Sequence, residues 1–176
     1  MSEAPRAERV WDPFVRVFHW SLVTCVVLNQ WVLEEGDPPH EWAGYTAAGL
    51  VGLRVLWGFI GPRHARFADF WPTPLRLREH LAALGRGEHP HTPGHNPLGA
   101  LMMLALMGLV LLLGFTGWLQ GTDRFWGNEA VQELHEGLAE ALLWLAGLHA
   151  VSALVMGRLE RTRLVKAMVT GVKERY

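Results

Sequence analysis

The chain has a single cysteine, Cys25, among its 176 residues. One thiol excludes a disulfide within the chain, an iron–sulfur cluster held by the chain's own cysteines, and a haem attached through a Cys-x-x-Cys-His motif. Charged residues are also scarce, at 19% of the chain, and the net charge is −1. A chain without excess positive charge has no bulk attraction for nucleic acid. Strand signals and internal repeats are absent as well, which indicates an all-α fold.

Long apolar runs, by contrast, are abundant, since half of the residues are hydrophobic. A helix needs about 20 apolar residues to cross a bilayer. The clearest run, residues 98–119, contains no charged residue, whereas a helix of a soluble bundle would show a polar stripe. We therefore predict an integral membrane four-helix bundle that forms one domain over residues 1–176. The predicted spans are at about residues 14–33, 42–60, 97–119 and 134–157, with a connector at 61–96.

Positive charge is distributed unevenly between the segments that link these spans. The loop at residues 34–39 has no lysine or arginine, and the loop at 120–133 has only Arg124. The positive-inside rule therefore predicts that both termini and the connector are cytoplasmic and that the two short loops are external. The basic residues of the cytoplasmic segments are Arg6, Arg9 and Arg16; Arg63, Arg66, Arg76, Arg78 and Arg86; and Arg158, Arg161, Arg163, Lys166, Lys173 and Arg175.

Two local patterns predict helix boundaries. Asp12 followed by Pro13 is typical of a helix start, with the carboxylate as cap and proline at the first helical position. In the connector, the residues from Pro74 to Leu84 predict a short helix.

Three of the nine histidines fall within the predicted spans and a fourth, His40, opens the second span, and their spacing is informative. His135 and His149 are fourteen residues apart, so they share a helix face at depths that differ by about 21 Å. The predicted orientation puts His40 at the external level of His135, and His19 at the cytoplasmic level of His149. The four histidines thus form two pairs, each drawn from two different helices.

Histidines inside a membrane are costly unless they have a partner, and they commonly mark a functional site. Haem iron accepts neutral imidazole nitrogens, and a helical bundle can hold such a cofactor in its core. Zinc would need four ligands at one point, whereas these histidines occupy two levels. For any one of these histidines considered by itself, a structural role in helix packing is an alternative. As level-matched pairs they predict two haems b, an inner one bound by His19 and His149 and an outer one bound by His40 and His135.

Other residues could support this site. Arg54 is fourteen residues from His40, so it lies at the inner level, where it could bind a haem propionate or else extend to the cytoplasmic surface. Glycines of the second and fourth spans would admit a flat ring or a neighbouring helix. His95 and Asn96 precede the third span and could bond a quinone or a propionate, although a helix-start role is an alternative for Asn96. His89 and His91 give only a weak indication of metal binding. Histidines in a polar connector usually lie on the solvent-exposed surface.

Several ordered motifs resemble the bacterial cytochrome b561 family. That family is similar to the b-type cytochrome subunits of nickel-iron hydrogenases and formate dehydrogenases. The motifs are Phe18-His19-Trp20, His40-Glu41-Trp42-Ala43-Gly44-Tyr45, Arg54-Val55-Leu56-Trp57-Gly58-Phe59-Ile60-Gly61, His95-Asn96-Pro97-Leu98-Gly99, Leu134-His135-Glu136 and Leu148-His149-Ala150.

The resemblance implies two haems b held by four histidines on the first, second and fourth spans, in the pairing given above. It also implies a multi-pass protein of the bacterial cytoplasmic membrane that carries electrons between an external partner, a cytochrome c or a hydrogenase-like protein, and the quinone pool. Small members of the family resemble a superoxide oxidase that passes electrons to ubiquinone. A stand-alone superoxide:quinone oxidoreductase is therefore the alternative, and a homodimer is compatible with either function.

Overall fold

Helices dominate the computed structural model, which describes residues 7–88, 92 and 94–174. In chain order the elements are β1 (Ala7–Arg9), α1 (Pro13–Trp31), α2 (Pro38–Ile60), a 3-10 turn (Arg63–Ala65), α3 (Phe67–Phe70), α4 (Pro74–Gly85), α5 (Pro97–Gln120), α6 (Glu129–Leu159), α7 (Leu164–Thr170) and β2 (Val172–Glu174).

The two predicted helix starts are confirmed. One carboxylate oxygen of Asp12 accepts a hydrogen bond from the backbone N–H of Val15 at 3.1 Å, and α1 begins at Pro13. At α4, the hydroxyl of Thr73 accepts a bond from the backbone N–H of Arg76 at 3.3 Å. Both caps satisfy backbone donors that a helix leaves open in its first turn.

Within the described residues, three helices are long and apolar enough to cross a membrane: α2, α5 and α6. The α1 helix has 19 residues but is not among them. Its polar residues Arg16, His19, Asn29 and Gln30 lower its mean hydropathy. The α6 helix begins before the predicted span and ends after it, since its first turn is polar and exposed.

The prediction that the chain lacks strands is wrong. β1 and β2 pair in antiparallel fashion, with Ala7 opposite Glu174 and Arg9 opposite Val172. Each strand has only three residues, which is too short for the alternation by which a strand is recognised in sequence. The two partners also lie at opposite ends of the chain, so no local hairpin signal exists.

The chain divides into two units. The first, here called the connector unit, comprises Met1–Arg16, Trp57–Met103 and Leu148–Tyr176. Within it the carbonyl of Gly171 accepts bonds from the backbone N–H groups of Val10 and Trp11 at 2.9 and 3.1 Å. Gly171 has φ +83°, and a Cβ there would lie 2.6 Å from the carbonyl oxygen of Trp11. Only glycine fits this joint between the strand pair and α7.

The second unit, here called the helical unit, comprises Val17–Leu56 and Leu104–Gly147. Its buried residues include Ala47 and Val51 of α2 and Met107 and Val110 of α5. A Cβ built at Gly114 would lie 2.8 Å from the Cβ of Ala48, so α2 and α5 approach each other closely at this point. Small residues at a contact of this kind are typical of helix packing in membranes.

Candidate functional site

One face of α2 carries His40 at its start and Arg54 near its other end. Ala47, Val51 and Arg54 on this face are 6%, 0% and 1% exposed. His40 lies seven residues before Ala47 and is half-buried, so it belongs to the same face. The fourteen-residue interval from His40 to Arg54 therefore follows the inward-facing side of α2.

His135 of α6 is held by a hydrogen bond to Thr116 of α5. The hydroxyl oxygen of Thr116 lies 2.8 Å from Nδ1 of His135 and 3.0 Å from the carbonyl oxygen of Leu112. Thr116 is 3% exposed. The adjacent Gly117 lies beside the ring, since a Cβ there would be in ordinary van der Waals contact with Cε1 of His135, at 3.4 Å.

The hydrogen bonds of Thr116 are compatible with a protonated Nδ1 in His135. A threonine hydroxyl has one proton to donate and can also accept. When that proton goes to the carbonyl of Leu112, the oxygen accepts from Nδ1–H of His135. This arrangement leaves the lone pair on Nε2 of His135. A neutral imidazole with a free Nε2 is the form that binds a metal ion.

His40 and His135 are electrostatic neighbours, and both belong to the helical unit. The charges of Glu35 and Glu136 also act on His135. Nδ1 of His40 is buried and has no hydrogen-bond partner within the described part of the chain. The outer pair predicted from sequence is therefore brought to one locality.

His19 and His149 are both half-buried. The rings of His19 and Trp20 meet edge to face, with centroids 5.1 Å apart. On α6, the buried Leu142 is seven residues from both His135 and His149, so the three side chains share one helix face. The pairing of His19 with His149 stays a prediction.

Arg54 has the largest fully buried side chain among the described residues. An arginine that extended along the helix to a membrane surface would expose its guanidinium. Its 1% exposure instead favours a role inside the protein.

The glycines of α2 and α6 fall into two groups. A Cβ built at Gly44 would lie 3.6 Å from Nδ2 of Asn29, and the ring of Phe67 occupies the space beside Gly58. These two glycines serve side-chain packing. A Cβ at Gly49, Gly52, Gly137 or Gly147 would meet no described atom within 4 Å, so open space adjoins these four positions.

A cavity of about 330 Å³ lies within the connector unit beside His95. The ring of His95 lies between two aromatic rings, with centroid distances of 4.7 Å to Trp11 and 4.8 Å to Phe70. His80 is 6% exposed, and its Nε2 makes no hydrogen bond to any residue that the structure describes. The cavity is lined by Asp69, Phe70, Arg76, Glu79, His80, Thr92, His95 and Pro97.

Asn96 has a structural task at the same place. Its side-chain oxygen accepts a hydrogen bond from the backbone N–H of Gly99 at 2.7 Å, at the start of α5. This is the geometry of a helix cap. Its NH₂ group is the part of the side chain left for another partner.

Asp69, on the wall of this cavity, is ionised by its neighbours. Its two carboxylate oxygens lie 3.2 Å from Nε of Arg63 and 3.2 Å from Nδ1 of His64. Partial burial opposes ionisation, but the hydrogen bonds and charges of Arg63 and His64 outweigh it and lower the pKa of Asp69 below its usual value.

The family model for prokaryotic cytochrome b561 matches residues 10–171 of this chain. The chain belongs to the prokaryotic cytochrome b561 family. Members are membrane b-type cytochromes that bind haem b and take part in electron transfer. No curated protein and no solved structure matched this chain.

The residues of this cytochrome fit a b-type haem. Such a haem is held by axial side-chain ligands and by groups that bind its propionates. One tautomer of the Thr116 contact leaves Nε2 of His135 for a ligand, His40 acts on His135 electrostatically, and Arg54 is buried on the face of α2 that carries His40. No group of three or more histidine, cysteine, aspartate or glutamate side chains gathers as a metal site in the described ranges, and His89 and His91 lie outside them.

Three polar residues of this cytochrome were missed by sequence reasoning: Thr116, Asn29 and His80. Thr116 is the only residue of α5 with a hydroxyl group, and a single hydroxyl in an apolar helix is a pattern that could have indicated its role. Asn29 has a buried side-chain oxygen that makes no hydrogen bond among the residues described. His80 had no signal, because a histidine in a polar connector ordinarily lies in solvent.

Proposed function

We propose that this protein is a four-helix membrane cytochrome with two haems b that transfers electrons between an external redox protein and the quinone pool. His40 and His135 would hold the outer haem, and His19 and His149 the inner one. Each haem, when bound, would supply a one-electron carrier, and two histidines would hold it. A site of this kind favours electron transfer over oxygen activation at the metal.

The observation that carries this proposal is the hydrogen bond between Thr116 and His135. The 2.8 Å contact supports Nδ1 as the protonated nitrogen, an arrangement that would leave Nε2 for a ligand. Metal-binding histidines almost always bond through the other ring nitrogen in this way.

The strand pair supports four membrane crossings. β1 precedes α1 and β2 follows α7, yet the two strands are hydrogen-bonded neighbours. Strands that pair must lie on the same side of a membrane, so an even number of spans separates them. The three clearly apolar helices make an odd number, and α1 supplies the fourth crossing. Arg16 at its start would lie at the membrane surface, and both termini would be cytoplasmic by the charge rule.

Arg54 is the proposed partner of a propionate of the inner haem. Its guanidinium is buried on the face of α2 that also carries His40. An arginine can bind a carboxylate through two parallel hydrogen bonds, and these bonds are strong where water is excluded.

The charge beside the outer pair favours a cationic partner. Glu35 and Glu136 act on His135, and the external loops carry few positive residues. A negative field attracts a redox protein with a basic surface, such as a cytochrome c, and speeds its encounter. The same field repels superoxide, so the alternative of a superoxide:quinone oxidoreductase has less support.

The proposed quinone site is the cavity beside His95. Imidazole N–H groups of His80 and His95 can donate to the two carbonyls of a quinone, and Phe70 offers an apolar wall. Quinone reduction consumes protons. The carboxyl groups of Glu79 and Asp69, on the same wall, could exchange protons with solvent.

Spectroscopy of purified variants tests the haem assignment. The wild-type protein should contain two haems per chain, and His135→Ala and His40→Ala should each lose the same one. His64→Ala, outside the proposed ligand set, is the matched control and should keep both. A wild-type protein without a b-type spectrum, or a His135→Ala protein with both haems, would contradict the proposal.

A second experiment separates the two candidate functions. Superoxide is added to protein that holds oxidised haem and quinone, and a reduced basic cytochrome c is added to a parallel sample. We expect haem reduction by the protein donor and none by superoxide. Rapid reduction by superoxide alone would favour the alternative function.

A further inference from the structure

We propose that Thr116 is a positioning residue that sets the tautomer, orientation and basicity of His135 as a haem ligand. The inference rests on the proposed function, because it takes His135 to be an axial ligand of the outer haem. It assigns a role to a residue of α5, the long helix that contributes no ligand of its own.

The position of Thr116 within α5 is the first argument. This helix runs for 24 residues, and Thr116 is its only residue with a hydroxyl group. The side chain is 3% exposed, and a hydroxyl at such a site costs free energy unless it is hydrogen-bonded. Its proton can already be donated to the carbonyl of Leu112 or Leu113, at 3.0 and 3.2 Å. The helix therefore satisfies the donor, and the oxygen lone pairs remain for His135.

The neighbouring glycine is the second argument. A Cβ at Gly117 would lie 3.4 Å from Cε1 and 3.9 Å from Nδ1 of His135. Two consecutive residues of α5 thus meet the same edge of the imidazole, Thr116 by a hydrogen bond and Gly117 at a distance that a Cβ would fill with an ordinary contact. Together they hold the ring by its Nδ1 edge.

The consequence for the ligand follows from general chemistry. When Nδ1–H of a histidine donates to an oxygen, the ring becomes more basic at Nε2 and binds a metal ion more firmly. A more basic ligand stabilises the oxidised iron relative to the reduced iron. The bond from Thr116 is therefore expected to lower the midpoint potential of the outer haem.

His40 provides a natural contrast. Its Nδ1 is buried but finds no hydrogen-bond partner among the residues described. The two proposed ligands of the outer haem therefore differ in the hydrogen bonding of Nδ1. A change at Thr116 should act on the outer haem through His135 alone.

The test uses the purified holoprotein and three variants. Thr116→Val keeps the shape of the side chain but removes the hydroxyl, and Thr116→Ser restores the hydroxyl. Thr46→Val is the matched control, because Thr46 of α2 donates in the same way to the carbonyl of Trp42, at 2.7 Å, but is exposed. The measurements are haem content, the two midpoint potentials from optical redox titration, and the low-spin electron paramagnetic resonance signals.

In Thr116→Val we expect one haem to titrate at a higher potential and to bind about 10- to 100-fold more weakly, with a changed resonance signal. The other haem should be unchanged, and Thr116→Ser and Thr46→Val should match the wild type. If Thr116→Val does not accumulate, Thr116→Ala removes the hydroxyl without a change of branching and carries the same test.

Unchanged potentials and resonance signals in Thr116→Val would overturn the inference. So would a Thr116→Ser protein as impaired as Thr116→Val, because the role would then be steric. Failure of the proposed function has a different signature, namely a wild-type protein without haem or a His135→Ala protein that keeps both haems.

Discussion

The two units of the molecule use polar side chains in different ways. In the connector unit, ion pairs and hydrogen bonds fasten short elements to one another. Examples are Asp69 with Arg63 and His64, and Lys166 with Glu174 at 2.7 Å. In the helical unit the described polar contacts are few, and the contact between Thr116 and His135 joins two long helices.

This difference separates residues that hold the fold from residues that serve a cofactor. Lipid offers no partner to a polar group, so such a group inside a membrane needs one within the protein. In the connector unit, water can compensate for the loss of a polar contact. We therefore expect the loss of a buried polar contact in the helical unit to alter haem properties as well as stability, and the loss of an ion pair in the connector unit to alter stability alone.

The largest effect should come from Arg54. In Arg54→Met the propionate proposed as its partner would remain buried without a counter-charge, which costs about 3–5 kcal/mol. The expected result is a large loss of thermal stability and a shift in the potential of one haem. Both are measured on detergent-purified protein through the haem absorbance. Arg158→Met, at the exposed end of α6, is the control, and equal behaviour of the two variants would contradict the assignment.

Two glycines of α2 should respond in opposite directions to the same substitution. In Gly58→Ala the new methyl group meets the ring of Phe67, and the overpacking should cost about 1–3 kcal/mol of stability. In Gly49→Ala the methyl group enters open space and should add about 0.5–1 kcal/mol through helix propensity. Melting temperatures of the two variants provide the comparison. A Gly58→Ala protein as stable as Gly49→Ala would show that Phe67 moves aside without cost.

Acid should weaken the connector unit through Asp69. The pKa of this carboxyl is lower in the folded protein than its ordinary value of about 4, so its contribution to stability is fully present at neutral pH. The contribution is lost as the pH falls below 4 and through the folded pKa. Asp69→Asn should therefore lower the melting temperature at pH 7 and flatten its acid dependence. Asp123→Asn, in the loop before α6, serves as control and should keep the wild-type slope.

The smallest effect is expected at Glu88. Two of its carboxylate contacts with Arg86 measure 2.8 and 2.9 Å, and they lower the pKa of Glu88, but both side chains are exposed. Exposed ion pairs contribute little, because water and salt screen them. Glu88→Gln should leave the melting temperature and both haems unchanged. A measurable loss of stability would mean that surface pairs matter more in the connector unit than the comparison assumes.

Sequence alone predicted the long helices well, because their signals are local. The uncharged run at residues 98–119 and the Asp12-Pro13 pair each correspond to an observed feature, α5 and the start of α1. The histidine spacing predicts that His40 and His135 lie at one level, since helix geometry converts a sequence interval into a depth, and their pairing as ligands stays a prediction.

Long-range contacts were beyond the same reasoning. The pairing of β1 with β2 joins residues from opposite ends of the chain, and three residues are too few to show a pattern. Thr116 meets His135 only because α5 and α6 lie side by side at one rotation about their axes. The burial of His80 depends on how the connector folds around it, which composition does not specify.

The register of the small sheet has a consequence for engineering. Ala7 and Glu174 are directly paired, so a short linker could join them and close the polypeptide into a ring. New ends could then be opened in the loop around Gly127, between α5 and α6, as in a circular permutant. In such a protein a donor fused to the new ends would lie next to the outer histidine pair.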